Sequence, residues 1–307
     1  MRRLPLNRPL LLAPVLLAAC APPVADPSGT VAEEAGMVAI AQVQGSGQRS
    51  PYEGRRVTVE GVVVARFGGL GGVYLQSLSP DEDPNTSEGL FLPQDRDAVP
   101  ELKVGHRVRV SGTVFEQGDD GATLTALDPA LVEVLGEQPV APLALESAPP
   151  SPGDWERHEG MLVTITAPLT VTGNDGLGRY GELHVSFDGR LYAPTELAPP
   201  GPAAQGIAAE NARLSLRLDD ARTTRDPEDL WFLAPAREAG KPRRPDDEAP
   251  LRVGSVLTGV TGVLEQRFGS YRLQLTEALA NIEQAPRPAP PQLPGDRRIA
   301  GFNLLNL

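Results

Sequence analysis

An all-β fold is what the sequence predicts, and three observations carry it. Valine-rich stretches alternate apolar and polar residues with the two-residue period of a half-buried strand, as in Val57 to Arg66 (VTVEGVVVAR) and Arg107 to Glu116 (RVRVSGTVFE). Turn formers are abundant, with 32 Gly and 32 Pro among 307 residues. Together they make about a fifth of the chain, short of the roughly 25–30% that marks disorder throughout. Aromatic residues amount to only 5%, which favours many short strands with frequent turns over a helical bundle.

The first element is an export signal. Arg2, Arg3 and Arg8 precede the apolar Pro9 to Ala19, a stretch too short and too Pro-interrupted to span a hydrocarbon layer roughly 30 Å thick. Leu17-Ala18-Ala19-Cys20 is similar to the bacterial lipobox and contains the only cysteine, so residues 1–19 read as a lipoprotein signal peptide and Cys20 as the acylated residue. With one thiol, an intrachain disulfide framework and a Cys-based zinc knuckle are excluded, and no disulfide-linked partner is expected. Ala21 stands where inner-membrane lipoproteins carry Asp, which implies an outer-membrane lipoprotein, periplasmic or surface-exposed. Residues 20–36, small, acidic and Pro-containing, read as the lipid-anchored tether.

Strands follow. Val57–Arg66 and Val73–Gln76 across a Gly-rich turn form an expected hairpin, and Arg107–Glu116 leads through Gly118–Gly121 into Ala122–Thr125. A second series comprises Met161–Thr166, Leu183–Phe187, Arg213–Leu218, Ser255–Gln266 and Tyr271–Leu275. GHRVRVSGTVFEQ (105–117) is echoed by GSVLTGVTGVLEQ (254–266), so two related units are expected. Gly61, Gly112 and Gly259 sit in mid-strand, where a bend or bulge lets a strand change sheets. About five bent strands in roughly 100 residues fit an OB-type Greek-key barrel. The expected organisation is thus two tandem OB-like barrels, 37–139 and 153–282, divided by the Pro-rich 140–152. A polyproline linker, 283–298, follows the second barrel.

The formal charge of −12, from 28 basic and 40 acidic residues, opposes any polyanion at long range. Removal of residues 1–19 takes three arginines with it and leaves 25 basic residues against 40, or −15. Any nucleic-acid contact must therefore be local.

Several stretches together resemble the N-terminal region of the large extracellular nucleases of bacteria (the ExeM/NucH-like family). They are IAQVQGSGQRSP (40–51), TSEGLF (86–91), WERHEGMLVTI (155–165) and RLDDA (217–221), together with the repeat strands. The similarity runs in order from about Val38 to Leu307. It implies OB-like modules that precede a catalytic domain of the endonuclease/exonuclease/phosphatase type. Residues 299–307, IAGFNLLNL, are similar to that domain's first strand, and Asn303 matches an active-site position beside the metal. The Mg²⁺-binding carboxylates and the phosphate-polarising His have no counterpart here, so Mg²⁺ is implied only for a missing domain. Phosphodiester hydrolysis needs a metal clamp and a positioned water, and the chain alone is expected to be inactive. The function expected is a non-catalytic, nucleic-acid-binding region of a surface-anchored DNase, with the membrane and extracellular DNA as partners. The alternatives are an envelope module that binds protein, oligosaccharide or a small ligand, and the remnant of a truncated nuclease gene.

Other constellations read as structure. His106, His158 and His184 lack the spacing of a zinc site. Asp81-Glu82-Asp83-Pro84-Asn85 with Glu88 is dense in oxygen ligands but lacks the pattern of a calcium loop, and reads as a solvated acidic turn. Asp219-Asp220 reads as a strand-end turn with only one carboxylate on any given side. The glycine clusters at 45–47, 68–72 and 173–178 are turns, not followed by the helix of a phosphate loop. The best candidate nucleic-acid patch combines Arg107 and Arg109, on one side of their strand, with Arg66, Phe67 and Tyr74 on the neighbouring hairpin. The second unit offers Arg179, Tyr180, Arg267, Phe268 and Tyr271.

Overall fold

The computed structural model describes residues 34–94, 101–119, 122–236 and 251–287, with the isolated positions 289, 292 and 301. The signal peptide, Cys20, most of the tether, much of the Pro-rich linker and Asn303 lie outside the described residues.

The chain is mostly β and builds two sheets. The first contains β1 (Glu34–Met37), β2 (Arg56–Phe67), β3 (Gly72–Gln76), β4 (Gly89–Pro93), β5 (His106–Asp119) and β6 (Ala122–Glu137), with the five-residue helix α1 (Ile40–Gln44) between β1 and β2. The predicted hairpin forms as β2 against β3, antiparallel from Val62↔Gln76 to Phe67↔Gly72. Neighbours run β2-β3-β4-β6-β5, and β5 pairs back onto β2 from Arg107↔Val62 to Thr113↔Arg56. Only β1–β2 and β4–β6 are parallel in this sheet. Strand alternation divides the apolar residues cleanly. Val57, Val59, Val63, Val73, Leu75, Leu90 and Leu92 fill the inside, whereas Val64, Tyr74 and Phe91 point outward. The outward set is nevertheless buried, and β3 is covered on both faces along its whole length, the burial expected where a second layer packs on the outside.

That second layer is the other sheet. It contains β7 (Leu143–Leu145), β8 (Leu162–Ile165), β9 (Leu169–Gly173), β10 (Leu183–Ser186), β11 (Ser215–Asp219), β12 (Val256–Thr258), β13 (Val260–Arg267), β14 (Ser270–Leu275) and β15 (Asn281–Glu283). Its order is β15-β12-β9-β10-β11-β14-β13-β8-β7. At Gly259 the backbone has φ +66° and separates β12 from β13, a conformation open to glycine at little cost. The two halves of this bent strand pair with the two halves of another, β12 with β9 and β13 with β8. The core is formed by Val163, Ile165, Val171, Val185, Leu218, Leu264 and Leu273, with Phe232 from the loop after β11.

Several expectations are corrected. The bulge near Gly112 is present, between Ser111 and Gly112, but pairing is regular through Gly61 and the slip in β2 falls between Val63 and Ala65. Arg213 and Leu214 do not start a strand; they end the 13-residue helix α4 (Pro202–Leu214), which follows the one-turn helices α2 (Leu177–Tyr180) and α3 (Pro194–Leu197). The glycine-rich 173–178 therefore does lead into a helix, of a single turn. Pro202 occupies the first turn of α4, where its missing N–H costs nothing.

Candidate nucleic-acid interface

The structure separates the five residues of the first-unit patch. Arg107 and Arg109 share the Glu60 carboxylate, at 3.0 and 2.6 Å, and Arg109 also reaches Glu133 at 3.2 Å. Hydrogen bonds from Arg109 and then Arg107 hold the Glu60 carboxyl below its ordinary range. Arg66 pairs with Glu101 at 3.1 Å. Tyr74 is wholly buried and its hydroxyl donates to Glu265, while Phe67 is buried beside it, 5.9 Å between ring centroids. Tyr74 thus corrects the sequence reading: neither face of its ring is open to a base. What covers it is β13 of the second sheet. Glu265 accepts from Arg267 at 2.9 Å and from Gln274 at 2.6 Å, and the Arg267 guanidinium lies 5.6 Å from the Phe91 ring centre.

The motifs TSEGLF and WERHEGM lie in the same seam. Gly89 and Gly160 meet backbone to backbone, so that a Cβ on Gly89 would stand 2.5 Å from the Glu159 carbonyl oxygen. Ser87 Oγ donates to that oxygen at 2.5 Å, the Leu162 N–H donates to Gln76 at 2.9 Å, and the Thr125 N–H donates to the fully buried Glu159 carboxyl at 2.9 Å. Burial, reinforced by the Glu156 charge, pushes the Glu159 carboxyl well above its usual range. These residues hold the two sheets together, and all of them except the half-buried Leu162 and Glu156 are buried.

An open cleft lies on the second sheet. Its floor is β11, and its walls are α2, the β13–β14 hairpin and the loop after β11. Phe268, at the hairpin tip, has φ +54° and is followed by Gly269 at φ +74°, the two left-handed positions of a tight type I′ turn. That turn leaves Phe268 71% exposed, and Tyr180, the last residue of α2, is 38% exposed. Around a hollow of about 440 Å³ stand Arg217, Arg222, Arg225 and Arg272, against the carboxylates of Glu182 and Asp219. Arg272 is buried, bonded to Glu182 at 2.6 Å and to Asp219, and its guanidinium supports the Phe268 ring from 5.0 Å. Arg179 and Arg225 lie over the Tyr180 ring, 5.3 and 5.8 Å from its centre. A second hollow of about 430 Å³ shares Arg217 and reaches Tyr271, His184 and the edge of Trp155 on the other side of the hairpin. Tyr180 and Phe268 from the second-unit set are thus brought together, whereas Arg267 is drawn into the seam and the Tyr271 hydroxyl is held by Glu156 at 2.5 Å.

The paired aspartates are both buried, Asp219 at 4% and Asp220 at 2% exposure. Burial lifts Asp219 to about 6 despite Arg272 beside it, and burial with the Asp219 charge lifts Asp220 to about 7. Sequence reasoning did not single out Arg217, Arg222 and Arg225 as binding residues; the run RLDDARTTR (217–225) carries all three, Arg217 on β11 and the others on the loop that follows. No group of three His, Cys, Asp or Glu suited to a metal occurs among the described residues. Of the histidines, His158 is lowered to about 4 by burial. The Asp81–Glu88 turn is closed by its own hydrogen bonds: the Asp81 N–H donates to Glu88 at 2.6 Å, the Asn85 N–H to Asp83 at 2.9 Å and Thr86 Oγ1 to Asp81 at 3.1 Å.

The region that holds this cleft is also what a known family picks out. Residues 153–284 match the family described as a domain of unknown function (DUF8508), a span that takes in β8 to β15 and the whole lining of the hollow between Tyr180 and Phe268. No curated protein matches the chain.

Proposed function

We propose that the chain is the non-catalytic, DNA-holding region of a lipid-anchored extracellular nuclease, and that its second unit is an OB-type barrel binding single-stranded nucleic acid in the cleft between Tyr180 and Phe268. The observation that carries this reading is the pair of exposed rings set among arginines in a chain of net charge −12. Stacking on such platforms with nearby cations is how OB barrels hold single strands without reading sequence. The barrel assignment draws support from strand order: β9-β10-β11-β14 returns to β9 through the bent β12–β13, with β11–β14 parallel. The first sheet repeats that order as β2-β3-β4-β6-β5, with β4–β6 parallel. In this topology the ligand lies across the second and third strands, between the loops that join strands one to two and four to five. Here those are β10 and β11, the loop carrying Tyr180 and the hairpin carrying Phe268. The equivalent face of the first unit, β3 and β4, is covered by β13. Outer-membrane anchoring through Cys20 rests on the lipobox-like sequence.

Fluorescence anisotropy with a labelled single-stranded oligonucleotide tests the reading. Phe268→Ala and Tyr180→Ala are each expected to weaken binding by about 1–3 kcal/mol, the contribution of one stacked base. Arg107→Ala with Arg109→Ala, whose charges Glu60 and Glu133 already meet, is expected to leave it nearly unchanged. Loss of affinity on the arginine pair, with none on the aromatics, would move the site back to the first unit.

A further inference from the structure

We propose that Arg179 and Arg225, set over the one Tyr180 ring, form a clamp for a dianionic terminal phosphate, so that the ligand of the cleft is a strand end bearing a phosphate monoester. The inference rests on the single-strand reading of the cleft and names which part of a strand it takes.

Every arginine that lines the hollow except Arg225 has a carboxylate partner: Arg217 and Arg272 meet Glu182 at 3.3 and 2.6 Å, and Arg222 meets Asp229 at 2.8 Å; Arg179 stands beside the hollow, over the Tyr180 ring. Arg179 and Arg225 have none within 4.0 Å among the described residues, although both guanidinium groups sit within 6 Å of the same ring centre. Two like charges gathered at one ring repel one another, and an anion that both can reach would offset that repulsion. Their proximity is built in: the Asp226 N–H donates to the Arg179 carbonyl at 2.8 Å and ties the loop after β11 to the last turn of α2. Of the acidic groups on the packed elements, Glu182 is engaged by Arg217 and Arg272 and Asp219 by Arg272, while Asp220 is buried and accepts the Arg222 N–H; the exposed Asp226 follows Arg225 in the chain without an ion pair to it. The exposed Thr224 lines the same hollow and adds a hydroxyl donor.

Charge decides which phosphate fits. An internal phosphodiester carries one negative charge, whereas a monoester carries about −1.5 to −2 near neutral pH and three acceptor oxygens. Two guanidinium forks match the second and over-match the first. A terminal phosphate held by Arg179 and Arg225 also leaves the adjoining bases to the exposed rings of Tyr180 and Phe268.

The test compares oligonucleotides of one sequence, with 5′-phosphate or 5′-hydroxyl ends and a dye at the 3′ end, and the mirror pair with 3′-phosphate or 3′-hydroxyl ends. One phosphorylated end is expected to bind about tenfold tighter than its hydroxyl counterpart, a difference of about 1.4 kcal/mol. Arg179→Ala with Arg225→Ala, both exposed and without a carboxylate partner among the described residues, is expected to erase that preference. Equal binding of phosphate and hydroxyl ends would overturn the clamp and leave the single-strand reading intact. If no strand binds, that reading falls, and ³¹P line broadening of inorganic phosphate decides the clamp. Broadening that the double variant abolishes would uphold it, and none with the unaltered protein would overturn it.

Discussion

Phe268 carries opposing demands in one side chain. A left-handed φ is strained for a bulky residue, at a cost of the order of 1–3 kcal/mol, yet this backbone is what lifts the ring out of the hairpin. Phe268→Gly is therefore expected to stabilise the fold, by about 1 kcal/mol in chemical denaturation, while lowering affinity for single strands. The two changes having the same sign would show that strain and binding are unrelated here. Asp219 and Asp220 behave similarly in pH. Their ordinary value is 3.8 and their folded values are about 6 and about 7, so between pH 4 and 7 the folded state holds more protons than the unfolded one. Stability then falls as pH rises through that window. A melting series should show this decline between pH 5 and 7, and Asp220→Asn should reduce it; an unaltered slope would assign the titration elsewhere. In the sequence the pair reads as a turn with one side chain on each side of a strand. The strand ends at Asp219, so Asp220 leaves the alternation and the loop buries both.

Among the elements, strands were legible because one face of each is dry and the other wet. The β2–β3 hairpin and the β12–β13 bend at Gly259 both follow from alternation and glycine placement. Helix α4 was not legible. It buries only Ala204 and Leu214 of its 13 residues, so it writes no apolar stripe of period 3.6, and its signals are Pro202 and a high alanine content. The seam was hidden for a different reason. Tyr74 and Phe91 sit at positions that alternation assigns to an outer face, and nothing local to β3 or β4 announces that β13 will cover them. Gly89 and Gly160 carry the tightest part of that seam. Gly89→Ala would drive a methyl group into backbone on the far side, where no side chain can yield, and the loss should exceed the 1–3 kcal/mol usual for overpacking. Equilibrium unfolding is the measurement: a lowered midpoint is expected, and wild-type stability would mean that the sheets part without cost at that point.

For the molecule as a whole, net negative charge combined with an arginine-lined cleft makes binding short-ranged. Each arginine that meets a phosphate should contribute about −0.7 to the slope of log affinity against log salt for a single strand. Arg225→Ala should thus shallow the slope by about that amount. An unchanged slope would place Arg225 away from the strand. Charge and composition disclosed this much from sequence alone, namely that contact would be local. Which unit offers it depended on which one turned its β face inward. The seam also governs what happens when the halves are parted. An isolated second unit, cut at the limits of the matched span, would bare Leu162, Ala221 and Val263 together with the unshielded Glu265–Arg267 pair. Such a fragment would meet water with a greasy, half-charged wound and would be prone to self-association, so the first unit doubles as the solubilising partner of the second.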